Sequence, residues 1–417
     1  MASLGPFEPA PRLAAGVSGG ADSVALAVLA DAWARARGGA LLALIVDHGL
    51  REESGAEAAE TAARLAARGI AARVLTIAGL SRGTALAQRA REARFRIMTE
   101  ACAGEGILHL LLGHHAGDQA ETVLIRSLGG SGFAGLAGMA PLIETQFLRI
   151  LRPLLAVPPA RLRATLISAD IAWVEDPSNV DPTALRPRLR LQRRDRDGAG
   201  SATAALVAAA AASGRRRAED DNAIAADLAE RASLRPEGFC VLSEAADGRQ
   251  PAIAPRALAA LVQAIGGAAF PPPTDSVTSL AAMPRPATLA GVRLLPAGRL
   301  GPGLLIVREA AAMTSPVAAQ PGAVWDGRFR LGTNARVPPG ATFGALGADA
   351  ARLRHTSSLP SAVLQTLPAL RLGAILLAVP HLLYPDPEKC ACIPVTLTPP
   401  RPAAAAPFLA ANAFGDA

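Results

Sequence analysis

From Arg12 to about Trp173, short apolar runs alternate with longer segments in which apolar residues recur every three or four positions. The runs RLAAGV (12–17), LLALIV (41–46), ARVLTI (72–77), ILHLLL (107–112) and IAWV (171–174) predict strands. The intervening ADSVALAVLADAWARAR, AEAAETAARLAAR, ALAQRAREARFRIMTEAC and DQAETVLIRSL predict helices. Strands that are apolar throughout and joined by helices describe an α/β fold, a parallel sheet covered on both faces. Ligands of such sheets bind beyond the carboxyl ends of the strands. After Asn179 the pattern changes. An alanine-rich helix (201–213), a polar helix (219–231) and a further helix (253–265) lead to the break FPPPTD. From about residue 285 proline and glycine punctuate short runs such as GLLIV, FRLGTNARV and AILLAV. The expected organisation is an α/β domain over 1–190, a helical domain with a basic linker over 191–284, and a small mixed or β-rich domain over 285–417.

The length of 417 residues agrees, since one core rarely serves so long a chain. Mean hydropathy is +0.28, but alanine supplies it while aromatics make up only 3%. No apolar run reaches the roughly 18–20 residues of a bilayer span, and the first residues lack a signal-peptide pattern, so a soluble cytoplasmic protein without membrane contact is expected. The four cysteines, Cys102, Cys240, Cys390 and Cys392, show no CxxC spacing, so neither a disulfide framework nor a zinc site is expected. The net charge of +7 is concentrated: nine arginines face two aspartates between Arg186 and Arg217. Such a block suits phosphate backbones, and equally a solvated linker.

The most informative stretch is GVSGGADSVAL (16–26), where the first strand hands over to the first helix. Glycines let backbone amides converge, and the positive end of the following helix favours an anion such as phosphate. Ser18 and Ser23 add hydroxyls, and Asp22 can hold Mg²⁺ between phosphate oxygens. A Walker A loop is excluded, because the only lysine is Lys389. A dinucleotide fingerprint is excluded because Gly19 and Gly20 are adjacent. VDHGLREES (46–54) puts Asp47, His48 and Arg51 at the exit of the second strand, and LLGHHAGDQAETVLIRSLGGSGFAGLAGM (111–139) follows the fourth. Asp118 and Glu121 also fit a helix capping box.

The order Ser-Gly-Gly-Ala-Asp-Ser (18–23) resembles the signature of PP-loop ATP pyrophosphatases. Together with VDHGLR, AREARF (90–95), GHHAGDQAET and WVEDPSN (173–179), it is similar to the tRNA(Ile)-lysidine synthetases over roughly residues 10–190. LPSAVLQTLPALRLGAILLAVPHL (359–382) resembles their terminal domain. The resemblance implies a ligase that uses ATP to adenylate the wobble cytidine of the CAU anticodon of tRNA(Ile). Free L-lysine then displaces AMP. It implies ATP contacts from Ser18, Gly19, Gly20, Ala21, Asp22, Ser23, Asp47 and His48, with Mg²⁺ on Asp22. Asp118 and Glu121 would receive lysine, and catalytic roles fall to Asp22, Asp118, Glu121 and Arg186. Residues 129–138 would form a flexible loop beside the anticodon base. Arg186, Arg188, Arg190, Arg215, Arg216 and Arg217 would grip the tRNA backbone, and a homodimer is compatible with this reading.

Three departures from the family pattern stand out: Gly117 for a second acidic residue, Gly129 for an arginine, and Pro187 for an asparagine. Proline removes a backbone donor and restricts Leu185 and Arg186. They leave open an inactive tRNA-binding relative, and the wider superfamily leaves open a tRNA thiolase. A thiolase needs a reactive cysteine at the site, and only Cys102 lies near a motif.

Overall fold

The computed structural model describes residues 1–49, 54–77, 79, 83, 86–145, 147–175, 185–193, 195, 197–243 and 253–404. Arg51 and the DPSN part of WVEDPSN lie outside the described residues. By internal packing the described residues divide into two units that meet between Ala218 and Glu219 in the sequence.

In the first unit the elements run β1 (Arg12–Val17), α1 (Ala21–Arg35), β2 (Ala40–Asp47), α2 (Ser54–Ala66), β3 (Ala71–Thr76), α3 (Leu86–Gly104), β4 (His109–Leu112) and α4 (Ala116–Leu128). They continue with α5 (Phe133–Leu136), β5 (Leu142–Glu144), β6 (Arg149–Leu151), α6 (Pro159–Ser168), α7 (Leu185–Arg193) and the first part of α8 (Ser201–Arg231), whose later turns belong to the second unit. The sheet order is β3-β2-β1-β4-β6-β5, parallel except for β5. Alternate residues serve opposite faces, as the pleat requires. Leu13, Ala15 and Val17 of β1 pack with Leu41, Ala43 and Ile45 of β2 under α1, α2 and α6. Ala14 and Leu44 instead join Met98 and Cys102 of α3 on the other face. The chain order reverses between β1 and β4, which opens the crevice where such sheets hold ligands.

The strand expected at 171–174 does not form. Asp170 takes a positive φ of 51°, and the Ile171 amide donates to Leu166 O, wrapping the end of α6. The sheet is completed by β6 and by antiparallel β5, three residues each. Their signal was hidden by Arg149, a buried arginine inside a strand. Its guanidinium donates to the carbonyls of Leu4, Gly5 and Pro6 and to Glu144, so no donor is lost by burial.

In the second unit β7 (Ala232–Arg235), β8 (Phe239–Ser243), α9 (Pro255–Gly266), α10 (Thr274–Ala282), β9 (Ala287–Leu289), β10 (Val292–Pro296) and β11 (Gly303–Arg308) form an antiparallel sheet, β7-β8-β11-β10-β9, with α9 and α10 packed on it. The hairpin β7–β8 lies inside the stretch read as helical. Its Pro236-Glu237-Gly238 turn, with Gly238 at a φ of 82°, is the sequence signal for it. Two small sheets follow, one over 317–318, 342–345, 368–372 and 375–378, the other over 324–325, 329–331 and 395–397. Beneath them Asp326, fully buried, accepts from Arg308 (3.0 Å) and Arg328 (2.9 Å) and from the Thr314 amide (3.0 Å). Those bonds offset the cost of its left-handed φ of 52°. Among the described residues no helix is long and apolar enough to cross a membrane.

Candidate functional site

Residues Ser18 to Ser23 leave β1 at the reversal point and enter α1. Gly19 holds a φ of +84°, and a Cβ there would stand 2.8 Å from Thr61 Oγ1. Only glycine serves both demands. The Ser23 hydroxyl accepts from the Ser18 amide (3.1 Å) and donates to Gly20 O (2.9 Å), and it lies 3.2 Å from the Ser18 hydroxyl. The Val174 amide donates to Gly19 O (2.9 Å), so the segment expected to be a strand braces the turn instead. Gly20 caps α1 without a side-chain acceptor, which leaves the first-turn amides open to an anion.

The exit of β4 closes against this turn: a Cβ on Gly113 would meet Ser23 Cα at 3.2 Å. His115 then caps α4. Its amide donates to Asp118 Oδ2 (3.1 Å), and the Asp118 amide donates to His115 Nδ1 (3.4 Å). The capping box expected of Asp118 and Glu121 is thus made by His115 and Asp118, and Glu121 is released for other work. His115 Nε2 lies 3.4 Å from Asp22 Oδ2 and 3.6 Å from Asp118 Oδ2. These partners place the ring proton on Nε2. Burial disfavours a charged His115, yet the bond to Asp22 and the charges of Asp118 and Asp22 outweigh it and raise its pKa. Gly117 belongs to the same arrangement. A Cβ there would stand 2.9 Å from His115 Cε1, so the folded-back imidazole fills the space that a side chain would need.

Glu121 is buried at 1% exposure and faces α7. Arg190 Nε donates to Glu121 Oε1 (2.6 Å), while Nη2 reaches Asp118 Oδ1 (3.0 Å) and Glu121 Oε2 (3.4 Å). Arg186, one helical turn earlier, donates to Thr122 Oγ1 (3.4 Å) and stands 3.8 Å from Glu121 Oε2. Pro187 does not displace Arg186, because it falls in the first turn of α7, where its missing N–H has no helical partner to lose. Arg188 and Arg215 are exposed. Arg216 lies over the Phe133 ring at 4.3 Å, and Arg217 donates to Ala134 O (3.4 Å). Two of the arginines expected to grip RNA therefore also fasten the glycine-rich segment, which Arg126 secures through Gly135 O and Gly138 O.

Arginines also surround the other two histidines of the rim, His48 and His114. Burial and then the Arg94 charge lower the pKa of His48, whose Nδ1 is buried without a partner. Burial, followed by the charge of Arg152, pushes His114 down to about 4. Arg152 is itself lowered to about 10 by burial and by Arg91. Asp47 is engaged locally: its Oδ1 accepts from the Ser54 hydroxyl (2.6 Å) and the Gly49 amide (2.9 Å), which lower its pKa. Cys102 points into the core, and burial raises it to about 11, so it offers no thiolate. Cys390 donates to Tyr384 O (3.1 Å).

Sequence reading singled out Asp22, Asp118 and Glu121 but not His115, which joins them. The adjacent histidines of GHHAGDQ were a signal for it. Thr61 had none, because it meets a glycine, Gly19, far from it in sequence, and nothing in the sequence shows that Arg126 folds back onto Gly135 and Gly138.

A family model described as a PP-loop domain matches residues 2–194. The tRNA(Ile)-lysidine synthase of Ruegeria pomeroyi is 35% identical over 391 residues, which is 89% of each chain. That of Mesorhizobium japonicum is 36% identical over 354 residues, 81% of this chain and 76% of the relative. The chain belongs to the tRNA(Ile)-lysidine synthase family. The tRNA(Ile)-lysidine synthase of Rhodopseudomonas palustris is 47% identical over 186 residues, 44% of this chain and 54% of that one. The chain thus spans about half the length of several curated relatives it matches. A U34-tRNA thiolase from Methanococcus maripaludis, solved with its [4Fe-4S] cluster, aligns over 50% of this chain and 74% of its own at 17% identity and a TM-score of 0.42. The stretch that matches the PP-loop model includes the turn from Ser18 to Ser23 and the sheet that carries it.

Proposed function

We propose that the protein ligates lysine to the wobble cytidine of a CAU-anticodon tRNA(Ile), consuming ATP. The reading is carried by His115, whose one imidazole touches the aspartate of the PP-loop and the aspartate of the acidic pair. Nucleotide activation and amine capture then share one crevice.

In this reading the amides of the turn and of the first turn of α1 take the triphosphate tail, the arginines of the rim add positive field, and His48 offers the nucleotide a neutral imidazole. The cytosine carbonyl oxygen attacks the α-phosphorus, and pyrophosphate leaves. The oxygen on that ring carbon, a poor leaving group alone, becomes part of a good one. Lysine's ammonium sits between Asp118 and Glu121, gives up a proton there, and its nitrogen attacks the same ring carbon. The carbon–oxygen bond breaks, and AMP departs with the oxygen. The segment 129–138, fastened by Arg126 and Arg217, stands beside the base, while Arg188 and Arg215 face the RNA backbone.

Asp22 suits Mg²⁺: Oδ1 is buried without a partner, and Oδ2 meets only a histidine at 3.4 Å. Among the described residues no cluster of three metal-binding side chains exists. That fits an ion held chiefly by phosphates and one carboxylate, where it would neutralise charge on the polyphosphate. The buried Cys102 weighs against sulfur delivery. Nucleoside mass spectrometry of a tRNA(Ile) transcript incubated with ATP, lysine and the protein tests the assignment. Lysidine in place of cytidine is expected, and an unmodified transcript beside intact ATP overturns it.

A further inference from the structure

The acidic pair that would receive lysine is already holding a cation. Both oxygens of Glu121 are engaged by Arg190, with Arg186 3.8 Å from Oε2, and Asp118 gives Oδ1 to Arg190 and Oδ2 to the His115 amide. Glu121 is 1% exposed, so an ammonium cannot approach its carboxylate while the guanidinium stays. Arg190 itself is 36% exposed, so it can leave toward solvent without unpacking a core. Its helix also carries Arg188, which is exposed.

A guanidinium forms forked bonds to phosphate as readily as to carboxylate. An RNA backbone drawn to α7 therefore competes with Asp118 and Glu121 for the same group. Without that competition, a second cation entering the pair meets like-charge repulsion and finds no free acceptor.

We propose that Arg190 is an internal surrogate for lysine's ammonium, which shuts the amine site until an RNA phosphate draws the guanidinium away. Binding becomes ordered, with tRNA before lysine, and free amino acid does not occupy the enzyme unproductively. The proposal rests on Asp118 and Glu121 being the amine site.

Equilibrium dialysis of radiolabelled L-lysine against the full chain, with and without a tRNA(Ile) transcript, tests it. For the unaltered protein the transcript should tighten lysine binding about ten-fold or more, as expected when the competent state is rare on its own. Arg190→Met should bind lysine without RNA as tightly as the unaltered protein does with it. Its KM for tRNA should rise while its KM for lysine does not. Arg190→Lys, which keeps the charge and loses the fork, should fall between. If Arg190→Met binds ATP normally but lysine no better than the unaltered protein, the proposal is overturned. Should Arg190→Met not fold, Arg190→Lys decides: lysine binding without RNA equal to that of the unaltered protein overturns it. Glu121→Gln separates the two ideas. If lysine binding in the presence of tRNA survives that change, the amine site is misassigned. If it is lost while Arg190→Met gives no relief, only the surrogate role fails.

Discussion

Two adjacent histidines show how burial and neighbours set ionisation apart. His115 is raised by carboxylates, whereas His114 is lowered to about 4, first by burial and then by Arg152. The consequence for stability follows from linkage. Between about pH 6.5 and 4 the unfolded chain binds a proton at His114 that the folded chain refuses, so stability falls as pH drops through that window. His114→Gln should flatten this part of the curve, as read by denaturant midpoints across pH. Asp22→Ala should abolish ATP–pyrophosphate exchange while the protein still unfolds cooperatively by calorimetry, because the turn is held by Ser18 and Ser23 and Asp22 makes one long contact, to His115. Glu121→Gln should retain the exchange and lose lysine transfer, so lysidine formed at an undiminished rate would remove that residue from the mechanism.

At the scale of elements, the PP-loop depends on one backbone conformation. Gly19→Ala should weaken ATP binding at least ten-fold while costing only about 1–2 kcal/mol of stability. Adding Thr61→Ala removes the 2.8 Å clash but not the φ of +84°, so the double variant should recover little affinity by calorimetry. Elements were legible where physics was local. The strands β1, β2, β3 and β4 appear in the sequence as near-continuous apolar runs because both faces of the sheet are covered. β5 and β6 were not legible, being short and containing an arginine whose partners lie at residues 4–6. The helix α8 was expected as two pieces but runs unbroken through Gly214 over 31 residues. A glycine inside a helix costs only about 1 kcal/mol, which the flanking alanines and arginines outweigh.

At the scale of the whole molecule, the two units have separate cores. The second unit owes part of its stability to Asp326 between two arginines. Removing a buried partner leaves charge uncompensated, so Asp326→Ala should cost about 3–5 kcal/mol. Its expected mark is an early unfolding transition in calorimetry, with ATP binding by the first unit retained. The place of the candidate site was legible because three short motifs fall at the ends of β1, β2 and β4, whose convergence the α/β pattern implies, whereas the reaction class rested on the family those motifs resemble. The engagement of the acidic pair by Arg190 was not, since nothing in RPRLR says which way each arginine points.

Trp173 donates its indole N–H to Glu175 (2.7 Å), one residue before the Val174 amide that braces Gly19. The other tryptophans lie elsewhere: Trp33 packs on Phe7 and under Arg37, and Trp325 sits in the core of the second unit. With those two changed to phenylalanine, the chain carries its own optical gauge. Emission from the remaining indole should change when a polyphosphate settles into the turn, so nucleotide arrival can be timed by stopped flow without any attached dye.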